Sequence, residues 1–153
     1  MAESDKDEIQ RFSPGVVWSG DGKGCGEITA AGGTLKIPIG GSTELGGCGR
    51  GANPEELLLA SVGACFVSTW AIFLKKLNVA YAEPALRVTG ELGKDPAGGF
   101  KMLSAKIHAR VPSSLFAERK ADIEKTLQLA GKYCIVSKAT KASMPVEVVV
   151  EEV

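Results

Sequence analysis

Asn53-Pro54-Glu55-Glu56-Leu57-Leu58-Leu59-Ala60-Ser61-Val62-Gly63-Ala64-Cys65-Phe66-Val67-Ser68-Thr69-Trp70-Ala71-Ile72-Phe73-Leu74-Lys75-Lys76-Leu77 reads as one long helix, and the rest of the chain is organised around it. Asn53 is a good N-cap, and Pro54 in the first helical position forfeits no hydrogen bond. Glu55 and Glu56 fall in the first turn and Lys75 and Lys76 near the last, each complementing the helix dipole. Between them the only ionisable side chain is Cys65. The apolar run from Leu57 to Leu74, about 18 residues at ~1.5 Å each, is long enough for a membrane span. Ser61, Gly63, Ser68 and Thr69 interrupt it and no neighbouring segment continues the pattern, so no membrane is expected. A helix apolar on every side is one buried on every side. In it Cys65 is either a small hydrophobe or the place to look for chemistry.

The 153 residues suit one domain, 1–153, large enough to bury a core without disulfides. Eighteen basic against eighteen acidic residues leave no electrostatic case for nucleic acid. Met1-Ala2-Glu3-Ser4-Asp5-Lys6-Asp7-Glu8 is acidic and polar, unlike a secretory signal, so residues 1–10 are expected to form a frayed tail on a cytoplasmic protein. On that basis the four cysteines are expected to be thiols rather than a disulfide framework.

Ahead of the helix, Val16-Val17-Trp18, after the break at Pro14-Gly15 within Phe12 to Ser19, predicts a first strand, and Glu27 to Ala30 and Thr34 to Ile39 predict a hairpin about Gly32-Gly33. Gly40 to Gly51 is a glycine-rich loop, without the spacing or the Gly-Lys-Ser/Thr of a phosphate loop. After the helix, Asn78 and Glu83-Pro84 mark a break, and Ala85 to Leu92 predicts a strand. Phe100 to Val111 alternates, with Lys106, His108 and Arg110 on one face and Ile107, Ala109 and Val111 on the other. Ser114 to Tyr133 predicts a second helix, Cys134 to Thr140 a further helical piece, and Val146 to Glu151 a last strand. Helices do not alternate one-for-one with strands. The fold class is therefore α+β, with mainly antiparallel sheets around a long central buried helix.

The only histidine, His108, sits among charges on the wet face and makes a poor base or ligand. No Cys-x-x-Cys pair is present, so no metal or other cofactor is expected. No carboxylate pair stands out for sugar hydrolysis. Thiol chemistry remains, with Cys65 and Cys134 on separate helical elements and Cys25 and Cys48 read as incidental loop thiols.

Asn53-Pro54-Glu55-Glu56-Leu57, followed ten residues after Glu55 by Ala64-Cys65-Phe66, resembles the hallmark of the osmotically inducible protein C and organic hydroperoxide resistance (OsmC/Ohr) family. Its second hallmark is Cys-Pro-Val-Ser near the C-terminus. This chain has Cys134-Ile135-Val136-Ser137, which departs from it at the proline. The likeness runs from about Trp18 to the C-terminus. It implies an intertwined homodimer that reduces organic hydroperoxides and hydrogen peroxide. Cys65 would be the attacking and Cys134 the resolving residue, and Glu55 would match the family glutamate that pairs with an arginine. Arg50 and Arg11 are the arginines ahead of the motif, and Arg50, in the glycine-rich loop, is the one assigned. The small-molecule partner would be a peroxide, and the electrons would come from an external dithiol reductant such as the dihydrolipoyl groups of a lipoyl protein.

Physical chemistry runs alongside the likeness. A free thiol ionises near pH 8.5, burial raises that value, and Cys65 lies too far from its own helix start for the dipole to help. A cation is therefore expected to hold the thiolate, and a guanidinium stays charged in a dry pocket. Glu55 and Cys65 are ten residues apart, about 15 Å along one helix, so one subunit cannot bring them into one small site. Two helices packed antiparallel near Ala60 would place Glu55 of one copy level with Cys65 of the other, giving two composite sites per dimer. The competing readings are a small-molecule binding or carrier domain without efficient catalysis, and a structural stress protein in which Cys65 only packs.

Overall fold

The computed structural model describes residues 9–153, so the first eight residues of the expected tail lie outside the described residues. The chain packs as two compact units, one up to Pro54 and one from Glu55.

In the first unit, β1 (Gly15–Ser19), β2 (Cys25–Ala30) and β3 (Leu35–Gly40) form an antiparallel sheet in the order β1-β2-β3. The β2–β3 hairpin closes through a short turn in which Gly32 and Gly33 hold φ of 66° and 93°, a conformation glycine reaches without steric cost. The strands begin at Gly15 and Cys25, beside the expected Val16 and Glu27. The chain then loops out and returns beside β3. Gly40 N–H donates to Ala52 O at 3.2 Å, and Ala52 N–H to Pro38 O at 3.1 Å.

The second unit is built on α1 (Pro54–Lys76), within a residue of the predicted span. Then come β4 (Ala85–Lys94), β5 (Phe100–Val111), α2 (Ser113–Tyr133), α3 (Ile135–Thr140) and β6 (Val146–Glu152). The sheet order is β4-β5-β6. β4 and β5 pair antiparallel, whereas β6 runs parallel to β5, with Ile107 opposite Val148. That parallel pair departs from the antiparallel pattern because α2 and α3 carry the chain back along the sheet before β6 begins, the long crossover a parallel neighbour requires.

By length and composition α1 would also cross a bilayer. Its stripe of Val62, Phe66, Trp70 and Leu74 is instead the centre of the core, packed with Ile107, Val111, Ile123 and Ala130. In the single chain the other side of the helix, including Ala60, Ser61, Ala64, Ser68 and Ile72, is open. α1 lies close to β4 because Gly63 has no side chain: a Cβ there would stand 2.9 Å from Val88 Cγ2. Its C-terminus is closed by Val79 N–H to Leu74 O (2.9 Å) and Asn78 N–H to Lys75 O (3.1 Å), with Asn78 at φ 53°. This is a Schellman arrangement with asparagine in the left-handed position. Arg119, at a kink in α2, donates to the Leu77 and Asn78 carbonyls beyond it.

The two long helices are tied by one buried polar contact. Trp70 Nε1 donates to Thr126 Oγ1 at 2.9 Å, and that hydroxyl donates to Ile123 O at 2.7 Å. Thr126→Val keeps the volume but strands the indole N–H, and is expected to cost about 1–3 kcal/mol. Urea unfolding of the two proteins checks it; an unchanged midpoint would show that the indole finds another partner.

His108 is on the outward face of β5, as its alternation predicts. It meets Thr89 Oγ1 at 3.1 Å and lies 3.8 Å from Glu151, which also pairs with Arg87.

Candidate active site

Cys65 sits mid-way along α1, beside the buried stripe and half-buried itself. Ser68 and Thr69 hydroxyls donate to its carbonyl oxygen at 3.0 and 2.8 Å. Cys134 is the joint between α2 and α3, fully buried. Its N–H closes α2 on Ala130 O at 2.8 Å, after which an extended backbone (φ −62°, ψ 114°) turns the chain into α3. Its Sγ caps the new helix, accepting from Ser137 N–H at 3.4 Å and from Ser137 Oγ at 3.1 Å. Cys134 is thus the N-cap of α3, with sulfur as the acceptor.

The structure brings these two sulfurs close enough for each to shift the other's acidity. Their acidities move in opposite directions. Burial pushes the Cys65 thiol up, but the N–H groups of Val136 and Ile135, the Cys134 thiol and the Thr69 hydroxyl together bring it below the ordinary cysteine value. Burial also pushes Cys134 up; Ser137 offsets part of this, and Cys65 beside it raises it further. Of the pair, Cys65 is therefore the more acidic sulfur and Cys134 the one that holds its proton longer. Backbone N–H groups at the start of α3 supply stabilisation beside that of the cation expected from the sequence. The long-range return of α3 to α1 places them there, and no local pattern around Cys65 announces it.

Ile135 adds one donor. Proline at this position, as in the Cys-Pro-Val-Ser pattern, has no N–H. Ile135→Pro should fold, because residue 134 already has the extended backbone proline asks of its predecessor and the first helical position tolerates it. It is expected to raise the Cys65 pKa and to slow alkylation by iodoacetamide near pH 6.5 about three- to tenfold, the lower thiolate fraction being partly offset by a more basic sulfur. Superimposable pH–rate profiles would exclude the Ile135 N–H as a donor.

Glu55 is in the first turn of α1, half-buried, and the unbroken helix keeps it about 15 Å from Cys65 of the same chain. Arg50 is an exposed residue of the glycine-rich segment in the first unit. Cys25 and Cys48, expected as incidental thiols, are joined in a disulfide with 6.1 Å between their Cα atoms, leaving Cys65 and Cys134 as the free cysteines. The reason is topological. Cys25 opens β2 opposite Gly40, and the loop that follows folds back with Gly49 N–H on Gly41 O (3.1 Å). A turn at each of the two cysteines was the available signal, but their 23-residue separation hid the pairing.

Two free cysteines brought together, one mid-way along α1 and one at the joint of α2 and α3, define a two-thiol protein on an α+β scaffold. Comparison with known proteins places it further. The model of the family described as OsmC-like protein matches residues 46–149. An organic hydroperoxide resistance protein-like 1 of Staphylococcus epidermidis is 39% identical over 105 residues, 69% of this chain and 73% of that one. An organic hydroperoxide resistance protein-like protein of Staphylococcus aureus is 33% identical over 99 residues, 65% and 69% of the two chains. The crystal structure of the organic hydroperoxide resistance protein OhrB of Bacillus subtilis is 27% identical with a TM-score of 0.66, covering 92% of this chain and 98% of that one. A structure from Vibrio cholerae, titled a putative organic hydroperoxide resistance protein with captopril bound in one of its active sites, is 23% identical. Its TM-score is 0.77 over 97% of this chain and 96% of that one, a likeness of fold. The chain belongs to the OsmC-like protein family.

Proposed function

We propose that this protein is a thiol-dependent peroxidase that reduces organic hydroperoxides, and hydrogen peroxide, by a two-cysteine cycle. The observation that carries the reading is the proximity of two free cysteines whose surroundings lower the pKa of Cys65 and raise that of Cys134. The Cys65 thiolate attacks the terminal peroxide oxygen, the O–O bond breaks, and the alkoxide leaves and takes up a proton, giving Cys65–SOH and an alcohol. Cys134 sulfur then displaces hydroxide, which leaves as water with the thiol proton, and a Cys65–Cys134 disulfide forms before further oxidation. An external dithiol, dihydrolipoyl groups by family likeness, returns both thiols by exchange through a mixed disulfide. No further cofactor enters the cycle. The setting is cytoplasmic, where a dithiol pool is at hand.

Arg50 is assigned as the guanidinium that stabilises charge moving from sulfur to the leaving oxygen, and Glu55 as its ion partner. Since Glu55 is a helix length away from Cys65, the glutamate comes from the second copy of an isologous homodimer whose α1 helices cross antiparallel near Ala60. The open, small-residue side of α1 supports that crossing. Ala60→Trp is expected to break the dimer and to take turnover with it; sedimentation and peroxide assay together check this, and an active dimer would remove the crossing at Ala60.

The test of the cycle is the mass of the intact protein after one equivalent of cumene hydroperoxide. A single new disulfide joining residues 65 and 134, reversed by a dithiol, is the expected product. Its absence would end the two-cysteine reading.

A second reading, a small-molecule carrier of the same family, is favoured by one observation. An apolar cavity of about 460 Å³ runs along α1 and β4, lined by Leu59, Gly63, Val67, Leu86 and Val88 among others. Alkylation near pH 6 separates the two: a peroxidatic Cys65 reacts quickly, a thiol that only lines a carrier does not.

A further inference from the structure

We propose that Cys25–Cys48 is a second redox couple, separate from the free thiols, whose bond latches the glycine-rich segment 41–51 onto the first sheet and whose reduction by a dithiol releases it. The proposal goes beyond the peroxidase reading and stands without it, since every group it uses lies in the unit up to Pro54.

Beyond the Ala52 bonds that pin its far end to β3, the segment has little else to hold it. Its turns close on exposed backbone hydrogen bonds, Gly46 N–H to Thr43 O at 2.9 Å, Gly47 N–H to Ser42 O at 2.8 Å and Gly49 N–H to Gly41 O at 3.1 Å. Gly46, Gly49 and Gly51 hold φ of 79°, 65° and 73°, and glycine loses more freedom on ordering than any other residue. Its one large apolar side chain, Leu45, is 55% exposed and adds little burial. Against this stands the single covalent tie from Cys48 to Cys25 at the head of β2. The seat is shaped for it: a side chain on Gly40 would run into Cys48 Sγ and the Arg50 carbonyl. Few buried contacts and many solvent-facing hydrogen bonds are the marks of a region that opens readily once a tie is cut.

The tie is accessible. Both cysteines are half-buried and neither is sealed in a core, so a small external dithiol can reach the bond, unlike a structural disulfide closed off from solvent. In the forward step a thiolate of an external dithiol attacks one sulfur and the S–S bond breaks. The released thiolate takes a proton, the dithiol's second sulfur closes its own ring, and two cysteine thiols and one oxidised dithiol result. Re-formation needs a two-electron oxidant; a hydroperoxide suffices, giving the disulfide, an alcohol and water. Arg50 lies two residues beyond Cys48, so the same event decides whether the backbone carrying that guanidinium is tied or free.

The full-length Cys65→Ser/Cys134→Ser protein tests the couple with no other thiol present, so a negative result does not touch the peroxidase reading. As purified under air it should resist alkylation, and with dithiothreitol it should become doubly alkylated while still folded. Amide exchange over 41–52 should then speed up about tenfold while β4 and β5 are unchanged. Oxidised dithiothreitol or cumene hydroperoxide should reverse both. Cys25→Ser/Cys48→Ser in the same background should show the fast exchange without reductant. Two free thiols after air oxidation, a bond that yields only on unfolding, or a segment whose exchange ignores the redox state would each overturn the proposal.

Discussion

Replacing Cys65 by serine is expected to lower dithiol-dependent consumption of cumene hydroperoxide at least about a thousandfold, because the nucleophile itself is lost. The donors around this position bring a thiol's pKa below its ordinary value, but a serine hydroxyl starts far too basic for the same N–H groups to ionise it at neutral pH. The fold should survive. The buried stripe of Val62, Phe66 and Trp70 is untouched, and oxygen for sulfur leaves a void smaller than a methylene, so the thermal midpoint should move by no more than a few degrees, about 1 kcal/mol. The pH dependence follows with its sign. Thiolate is the reactive form, so the wild-type rate of Cys65 oxidation should rise with pH and level off once pH exceeds a pKa lying below the ordinary value. Stopped-flow kinetics on both proteins is the measurement, and undiminished turnover by the serine variant would take Cys65 out of the mechanism.

Cys134→Ser should give a different failure. The first peroxide equivalent should still be consumed, within about tenfold of the wild-type rate, because a hydroxyl at this position can donate to Cys65 as the thiol does. Steady turnover should then stop. Without the second sulfur the sulfenic acid has no intramolecular partner and climbs to the sulfinic and sulfonic acids with further peroxide. Mass spectrometry should therefore find oxygen added at residue 65 and no disulfide. Sustained turnover at the wild-type rate would mean that the external reductant meets the sulfenic acid directly and that Cys134 serves only to cap α3.

The long helix was legible because its signals are local: proline at the start, acids in the first turn, lysines in the last, and Asn78 just beyond. The outward place of His108 was legible for the same reason, since strict alternation along β5 assigns faces without knowing the partner strands. The direction of β6 was not, because its own residues read the same in parallel and antiparallel pairing. Cys25 and Cys48 were misread as free thiols: composition argues about compartments, whereas the bond depends on how the glycine-rich loop returns over β2.

The site divides along the same line. The order of residues singled out Cys65 and Cys134, the first as the lone ionisable group in an apolar helix and the second at the break between two helical stretches. Which of the two is the more acidic was decided only by tertiary structure. α3 comes back against α1 with the N–H groups of Ile135 and Val136 turned toward Cys65, while Ser137 engages Cys134. Helix propensity and hydrophobic pattern act between near neighbours in the chain and so can be read along it. The acidity of a sulfur answers to whatever dipoles stand within a few ångströms of it, and here those belong to residues some seventy positions further on.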